Sequence, residues 1–345
     1  MNKTPRTFSF SFLHFKENGN IQLCCIILRA ATALRQLTSV FMCLLFMFVN
    51  PSANEGSYKL VLINNRDEAY ARPTKPAHFW STKILAGMDN EKGREGGTWL
   101  GVEERGKVAC LLNILQPKDS FVENCAGRGF LVVDFLLGTE SGQDYMKNIF
   151  TSGTLYNPFH LITIEPNGAT YDAAVYSSQQ KVWKVLEPGF HGFGNCPVDK
   201  PFKKVVKGKE NFQSIVEKYG KVDDEELLIA ELFSMMQDHK EYYPDQQLME
   251  QGKGLSASIV KGLSSIWVSC ASDGYGTRTT TIILVDHKDR IYYKERTMKE
   301  PVDIQKIEWQ ITNTSLANQK PNQFTVSRQG YKTSVHQLWT KSKKS

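Results

Sequence analysis

From residue 42 onward the chain alternates short apolar runs with polar turns, and the period of each run assigns its element. Residues 43–49 (C-L-L-F-M-F-V) are apolar at every position, the pattern of a strand covered on both faces, and equally of a short buried helix. Residues 57–64 read as its hairpin partner across N-P-S-A-N-E-G, and residues 98–102 and 107–113 flank E-E-R-G as a second hairpin. Asn167-Gly168, between H-L-I-T-I-E-P and A-T-Y-D-A-A-V-Y, is the strongest hairpin turn in the chain. Apolar residues at helical spacing predict two short helices over 130–138 and 141–150. The acids that open V-D-D-E-E-L-L-I-A-E-L-F, and its apolar stripe, mark 200–238 as a helical section. Residues 238–262 read as a long polar loop, and 266–270, 277–286 and 290–296 as closing strands. Strands, then helices, then strands predict one α+β domain over 42–323, a sandwich of two strand layers with helices outside.

Composition adds little to that picture, and charge removes one class of partner. The chain of 345 residues is 41% hydrophobic and 23% charged, ordinary for a globular protein. Its net charge of +6 resides at the two ends. Lys3, Arg6, Lys16, Arg29 and Arg35 face a single acid, Glu17, in residues 1–41, and the tail at 324–345 is basic with no acid. The body between is slightly acidic and carries no interleaved basic and aromatic motif, so nucleic acid is not expected as a partner. Seven cysteines without paired C-x-x-C spacing predict neither a zinc site nor a disulfide framework, and fit a reducing compartment. Three readings of residues 1–41 stand side by side: a transit-like leader, a signal peptide ending in the apolar run 37–49, or an extension upstream of a working start at Met42.

The stretch I-N-N-R-D-E-A-Y-A-R-P at 63–73 raises the chemical question. An apolar run passes directly into two amides, a guanidinium and two carboxylates, with no glycine or proline before Pro73 to make a turn. The expectation is a strand end that delivers Arg66 and Asp67 to one place. Three other strand ends carry side chains of the same kind: Cys43, Asn113 and Arg278. Asn195 in H-G-F-G-N-C joins them if 182–186 is also a strand. Taken singly, each residue has a plain structural role: core for a cysteine, turn or surface for an asparagine or arginine. A buried hydrogen-bond network that fixes strand register is the structural reading of the whole set. Gly96-Gly97 reads as a tight turn or as room for a ligand's approach, and Trp80 and Trp99 as core anchors.

N-R-D-E at 65–68, A-R-P-T-K-P-A-H-F-W at 71–80, G-R-E-G-G-T-W-L-G at 93–101, L-Y-N-P-F-H-L-I at 155–162 and G-Y-G-T-R-T-T-T-I-I-L-V-D at 274–286 occur in order. In these blocks the chain resembles the NRDE family, also called the transport and Golgi organisation 2 family. Members begin Met-Cys, which favours Met42-Cys43 as the start. The family in turn is similar to the cysteine N-terminal-nucleophile hydrolases, which implies an αββα sandwich. The same resemblance implies Cys43 as nucleophile, Arg66 and Asp67 as its neighbours, Asn113 and Asn195 as oxyanion contacts and Arg278 as a second guanidinium. Such a reaction needs Cys43 as the first residue, because a free α-amine, with a pKa of about 7.7 to 8.0, is the base.

What the resemblance implies first, however, is a role in Golgi organisation, secretion and intracellular trafficking, with cytosolic haem handling in some relatives. No cofactor is then required, and haem or a similar small amphiphile is the expected cargo. His78, His160, His191 and Cys196 are the candidate haem ligands, beside Cys43 itself. The expected location is cytoplasmic with peripheral contact to Golgi or mitochondrial membranes, or mitochondrial or secreted if the leader functions.

Overall fold

The computed structural model describes residues 42–80 and 83–317. The leader at 1–41 and the basic tail at 324–345 lie outside the described residues. Two seven-stranded antiparallel sheets face each other. The first holds β1 (Met42–Val49), β2 (Tyr58–Ala69), β10 (Gly189–Phe193), β11 (Ser269–Cys270), β12 (Tyr275–Asp286), β13 (Arg290–Met298) and β14 (Trp309–Ala317). Its order is β10-β1-β2-β12-β13-β14, with β11 paired to β12. The second is a meander in chain order: β3 (Thr74–Phe79), β4 (Ile84–Asp89), β5 (Leu100–Glu103), β6 (Val108–Asn113), β7 (Phe159–Asn167), β8 (Thr170–Ser177) and β9 (Val182–Leu186).

Helices cover both outer faces. α1 (Phe130–Leu137) and α2 (Gly142–Thr151) pack on the second sheet, where Leu131, Phe135 and Met146 meet Ile84, Ala109 and Leu161. α3 (Lys203–Tyr219), α4 (Glu225–Met235), α5 (Gln246–Gln251) and α6 (Ala257–Gly262) cover the first, through Val205, Phe212, Leu228, Leu232, Leu248 and Ile259. The result is the αββα sandwich that the resemblance implied.

This layering explains why β1 is apolar throughout. Met42, Leu44 and Phe46 point to the helices, and Cys43, Leu45, Met47 and Val49 point to the second sheet. In β2, Val61 and Ile63 face the helices while Leu60 and Leu62 face inward between the sheets. The strand does not stop at Ile63. It runs through the entire N-N-R-D-E segment to Ala69, paired with β1 on one side and β12 on the other. The polar segment is therefore a strand interior and not a strand end, and its side chains divide between two faces.

Three other expectations need correction. Residues 238–262 contain α5 and α6, each started by a side-chain cap: Asp245 accepts from the Leu248 N–H and Ser256 from the Ile259 N–H. Of 266–270, only Ser269 and Cys270 pair as a strand. β4 and β10 were not expected, nor were β3 and β14. The last two are edge strands, where Pro76 is tolerated in β3 and where Ile311 of β14 remains exposed.

Candidate functional site

The antiparallel register of β1 and β2 sets Cys43 directly opposite Arg66, and alternation turns both side chains into the space between the sheets. There they border a cleft of about 310 Å³. Trp99, Leu111 and Asn113 form its wall on the second sheet's side, and the loop 121–130 with Arg94 and Arg128 forms its mouth. Cys43 is 5% exposed. Burial first, and then the nearby Asp67 charge, push its thiol up to about 12, with Arg66 acting the other way. As an internal residue it is thus a neutral thiol near pH 7.

Arg66 lies with its guanidinium carbon 4.2 Å from the centroid of the Trp99 ring. Its Nη1 donates to Thr74 Oγ1 at 3.2 Å, and Glu68 stands 3.5 Å from its Nη2. Burial pulls the Arg66 pKa down, Glu68 holds it up, and Arg278 and Arg72 pull it down further. Arg72 is fixed by a two-point contact with Asp89, at 3.1 and 2.7 Å.

Asp67 borders the same cleft, but its carboxylate is on the helix side. Oδ1 accepts from Thr277 Oγ1 at 2.6 Å, while Oδ2 is buried with no hydrogen-bond partner. Burial raises its pKa to about 7 against the pull of Lys204, whose own pKa burial lowers. Arg66 and Asp67 therefore flank one strand and do not converge on one face.

Asn195, just past β10, joins the site from behind. Its Oδ1 accepts the Cys43 N–H at 2.7 Å, and its Nδ2 donates to the Asn113 carbonyl at 2.5 Å. One carboxamide thus ties β1 to the end of β6. The Asn113 Oδ1 is buried and unpartnered beside the cleft. Arg278 lies outside the lining. It donates to the carbonyls of Ala69 and Arg72 and reaches Glu300 Oε1 at 2.7 Å, so it clamps the chain that leaves β2. Of six candidate residues, Cys43, Arg66, Asp67 and Asn113 line the cleft, Asn195 touches two of them, and Arg278 braces the strand exit.

Met42 precedes Cys43 and is fully buried, its N–H donating to the Tyr275 hydroxyl at 2.7 Å. The Cys43 nitrogen is accordingly a peptide N–H in this chain. The four haem-ligand candidates stand apart from the cleft. His160 is fully buried, pulled down to about 4 by burial, with Nε2 2.7 Å from the Cys196 carbonyl. The Cys196 sulfur accepts from the Phe202 N–H at 3.3 Å. His78 meets the Pro76 carbonyl and His191 the Glu187 carbonyl.

Sequence reasoning missed Arg72, Arg94, Arg128 and Lys204, and took Trp99 only as a core anchor. Arg94 and Trp99 lie in G-R-E-G-G-T-W, and Arg128 is flanked by glycines, so a signal was present. Those glycines let two backbones cross. A Cβ on Gly129 would lie 3.1 Å from Gly97 Cα, and one on Gly97 would lie 3.3 Å from Gly129 Cα. The crossing brings both backbones to the cleft's lining, and Gly96, at φ +86°, makes the turn that reaches it.

The sequence profile of the family described as "Transport and Golgi organisation 2" matches residues 42–300. The chain is 37% identical over 264 residues to the Transport and Golgi organization protein 2 homolog of Homo sapiens, covering 75% of this chain and 94% of that protein. It is 36% identical over 262 residues to the Bos taurus homolog, covering 74% and 93%, and 33% identical over 269 residues to the Drosophila melanogaster protein, covering 74% and 92%. Among solved structures, a mutant conjugated bile acid hydrolase from Clostridium perfringens aligns over 82% of this chain and 100% of that one, at 9% identity and a TM-score of 0.33.

Proposed function

The chain belongs to the Transport and Golgi organisation 2 family, and on that premise we propose that it serves intracellular transport and Golgi organisation as a carrier whose cargo sits over Cys43. The observation that carries this reading is the lining of the cleft. Arg66, Arg94 and Arg128 line it beside the apolar Trp99, Leu111 and Phe130, with Arg66 stacked on Trp99 and paired to Glu68. Guanidiniums suit carboxylates or phosphates, and the wall suits an aliphatic or aromatic body. The cargo is an amphiphile with an acidic head, and haem, with two propionates, is of that class. Among the described residues no histidine lines the cleft, so a haem seated there meets the thiols of Cys43 and Cys125. Spectrophotometric titration of the full chain with haem tests it: a saturable Soret shift, weakened in Arg66→Leu, supports the reading. An unchanged spectrum at micromolar protein removes haem as cargo. No described helix is long and apolar enough to cross a membrane. On the carrier reading the protein works from the cytoplasm, at peripheral contacts with Golgi or mitochondrial membranes.

A second reading has its own observation, the 2.7 Å contact from the Cys43 nitrogen to Asn195 Oδ1. In a chain that starts at Cys43 that nitrogen is an α-amine, the carboxamide orients it, and it can take the thiol proton as attack begins. Asn113 then offers a carboxamide to the developing oxyanion. N-terminal sequencing of the native protein tests this amidase or thioesterase reading. A start at Met1 or Met42 excludes it, and a start at Cys43 with turnover lost in Cys43→Ser supports it.

A further inference from the structure

β9 and β10 are consecutive in the chain, yet they are edge strands of different sheets. Where the two edges part, α3 closes over the gap and leaves a groove of about 520 Å³ that shares no lining residue with the Cys43 cleft. Its floor is core: Val175, Phe193 and Val205 are buried. Its mouth is apolar as well, with Val198 and Val206 each 41% exposed. An apolar channel of this size that opens to solvent is uncommon without an occupant.

The polar groups at the rim define that occupant. Lys184 of β9 and Lys209 of α3 come from separate elements and converge on His191, whose ring stacks on Phe193 with centroids 6.2 Å apart. Burial first, and then both ammoniums, hold the His191 imidazole below its ordinary pKa. Of the rim acids, Glu210 is engaged by Lys207 at 2.7 Å, which leaves Glu187 against two lysines. Among the described residues neither Lys184 nor Lys209 forms an ion pair. A single-headed anion with a long apolar body matches the groove: the body fills the channel and the head lies between the ammoniums.

We infer that this groove is a second ligand site, which takes the acyl chain of a fatty acid with its carboxylate held by Lys184 and Lys209. The site goes beyond the carrier reading of the Cys43 cleft and shares no residue with it.

The test uses the full chain and cis-parinaric acid, whose fluorescence rises in an apolar environment. Wild type shows saturable binding, and the methyl ester, which lacks the charge, binds more weakly. Replacement of both rim lysines, Lys184→Glu with Lys209→Glu, weakens the acid by about tenfold or more and leaves thermal unfolding unchanged. Arg66→Leu, which alters only the Cys43 cleft, retains saturable parinaric acid binding, and the double lysine replacement made in that background weakens it. Absence of saturable binding overturns the inference. So does binding in the Arg66→Leu background that survives the double replacement.

Discussion

Asn195 holds Cys43 by its backbone: the carboxamide oxygen accepts the Cys43 N–H at 2.7 Å, and both residues are buried. The same side chain donates to the Asn113 carbonyl, so its loss strands a donor and an acceptor at once. Asn195→Leu is therefore expected to destabilise the protein by about 2–4 kcal/mol. The midpoint of guanidinium unfolding reads the effect. Loss of less than about 0.5 kcal/mol would show that the carboxamide does not fix the strand.

Met42 fills a position between β1 and the helices with no exposure. Met42→Ala should cost about 2–5 kcal/mol, the range for truncating a buried methionine. Removal of Met42 then has to precede folding. Incubation of a folded chain that starts at Met42 with an aminopeptidase should leave Met42 in place, as intact mass will report, whereas trimming to Cys43 in native conditions would contradict this burial.

The Cys43 thiol gives a pH prediction of definite sign. Its pKa stands at about 12, above the ordinary 9.0, because the fold favours the neutral form. That stabilisation is fully present below pH 9.0 and is lost as the pH climbs through about 12. Iodoacetamide at about pH 7.5 should label the partly exposed Cys125 well before Cys43, which peptide mapping will show. In Cys43→Ala the alkaline loss of stability should be smaller.

Asp67 acts in a lower window. Its pKa rises from 3.8 to about 7, so the folded state keeps a proton that the unfolded chain releases. This contribution is complete below pH 3.8 and disappears as the pH rises through about 7. Asp67→Asn preserves an oxygen for Thr277 and places an amide at the unpartnered Oδ2 position. The stability of wild type relative to Asp67→Asn should therefore fall between about pH 4 and pH 7, by an amount on the order of a few kcal/mol. A difference that does not vary with pH, in paired thermal melts, would mean that Asp67 is ionised throughout.

Much of this architecture was readable in residue order, for identifiable reasons. β1, the β5–β6 and β7–β8 hairpins and the helices α1 to α4 carry periodicity or turn signals strong enough to act locally. β2 was misjudged at its polar half because alternation was read as termination. Asn65 and Asp67 are polar on the helix face, where they find Met236, Ile266 and Thr277, and no local pattern announces such partners. α5 and α6 are one or two turns long, so their caps outweigh their propensity. The convergence of Cys43, Arg66 and Asn113 followed from strand position, but Arg94 and Arg128 enter only through the Gly97–Gly129 crossing, which is tertiary.

The claim on which the rest depends is that an acidic amphiphile is held in the cleft over Cys43 by its guanidiniums. The most direct measurement is the haem dissociation constant of the full chain compared with those of Arg66→Leu and of Arg94→Glu, the second being a change at the cleft mouth. The account predicts saturable binding by wild type and about tenfold or greater weakening in each variant, with far-UV circular dichroism unchanged. Equal affinities in all three proteins would contradict it.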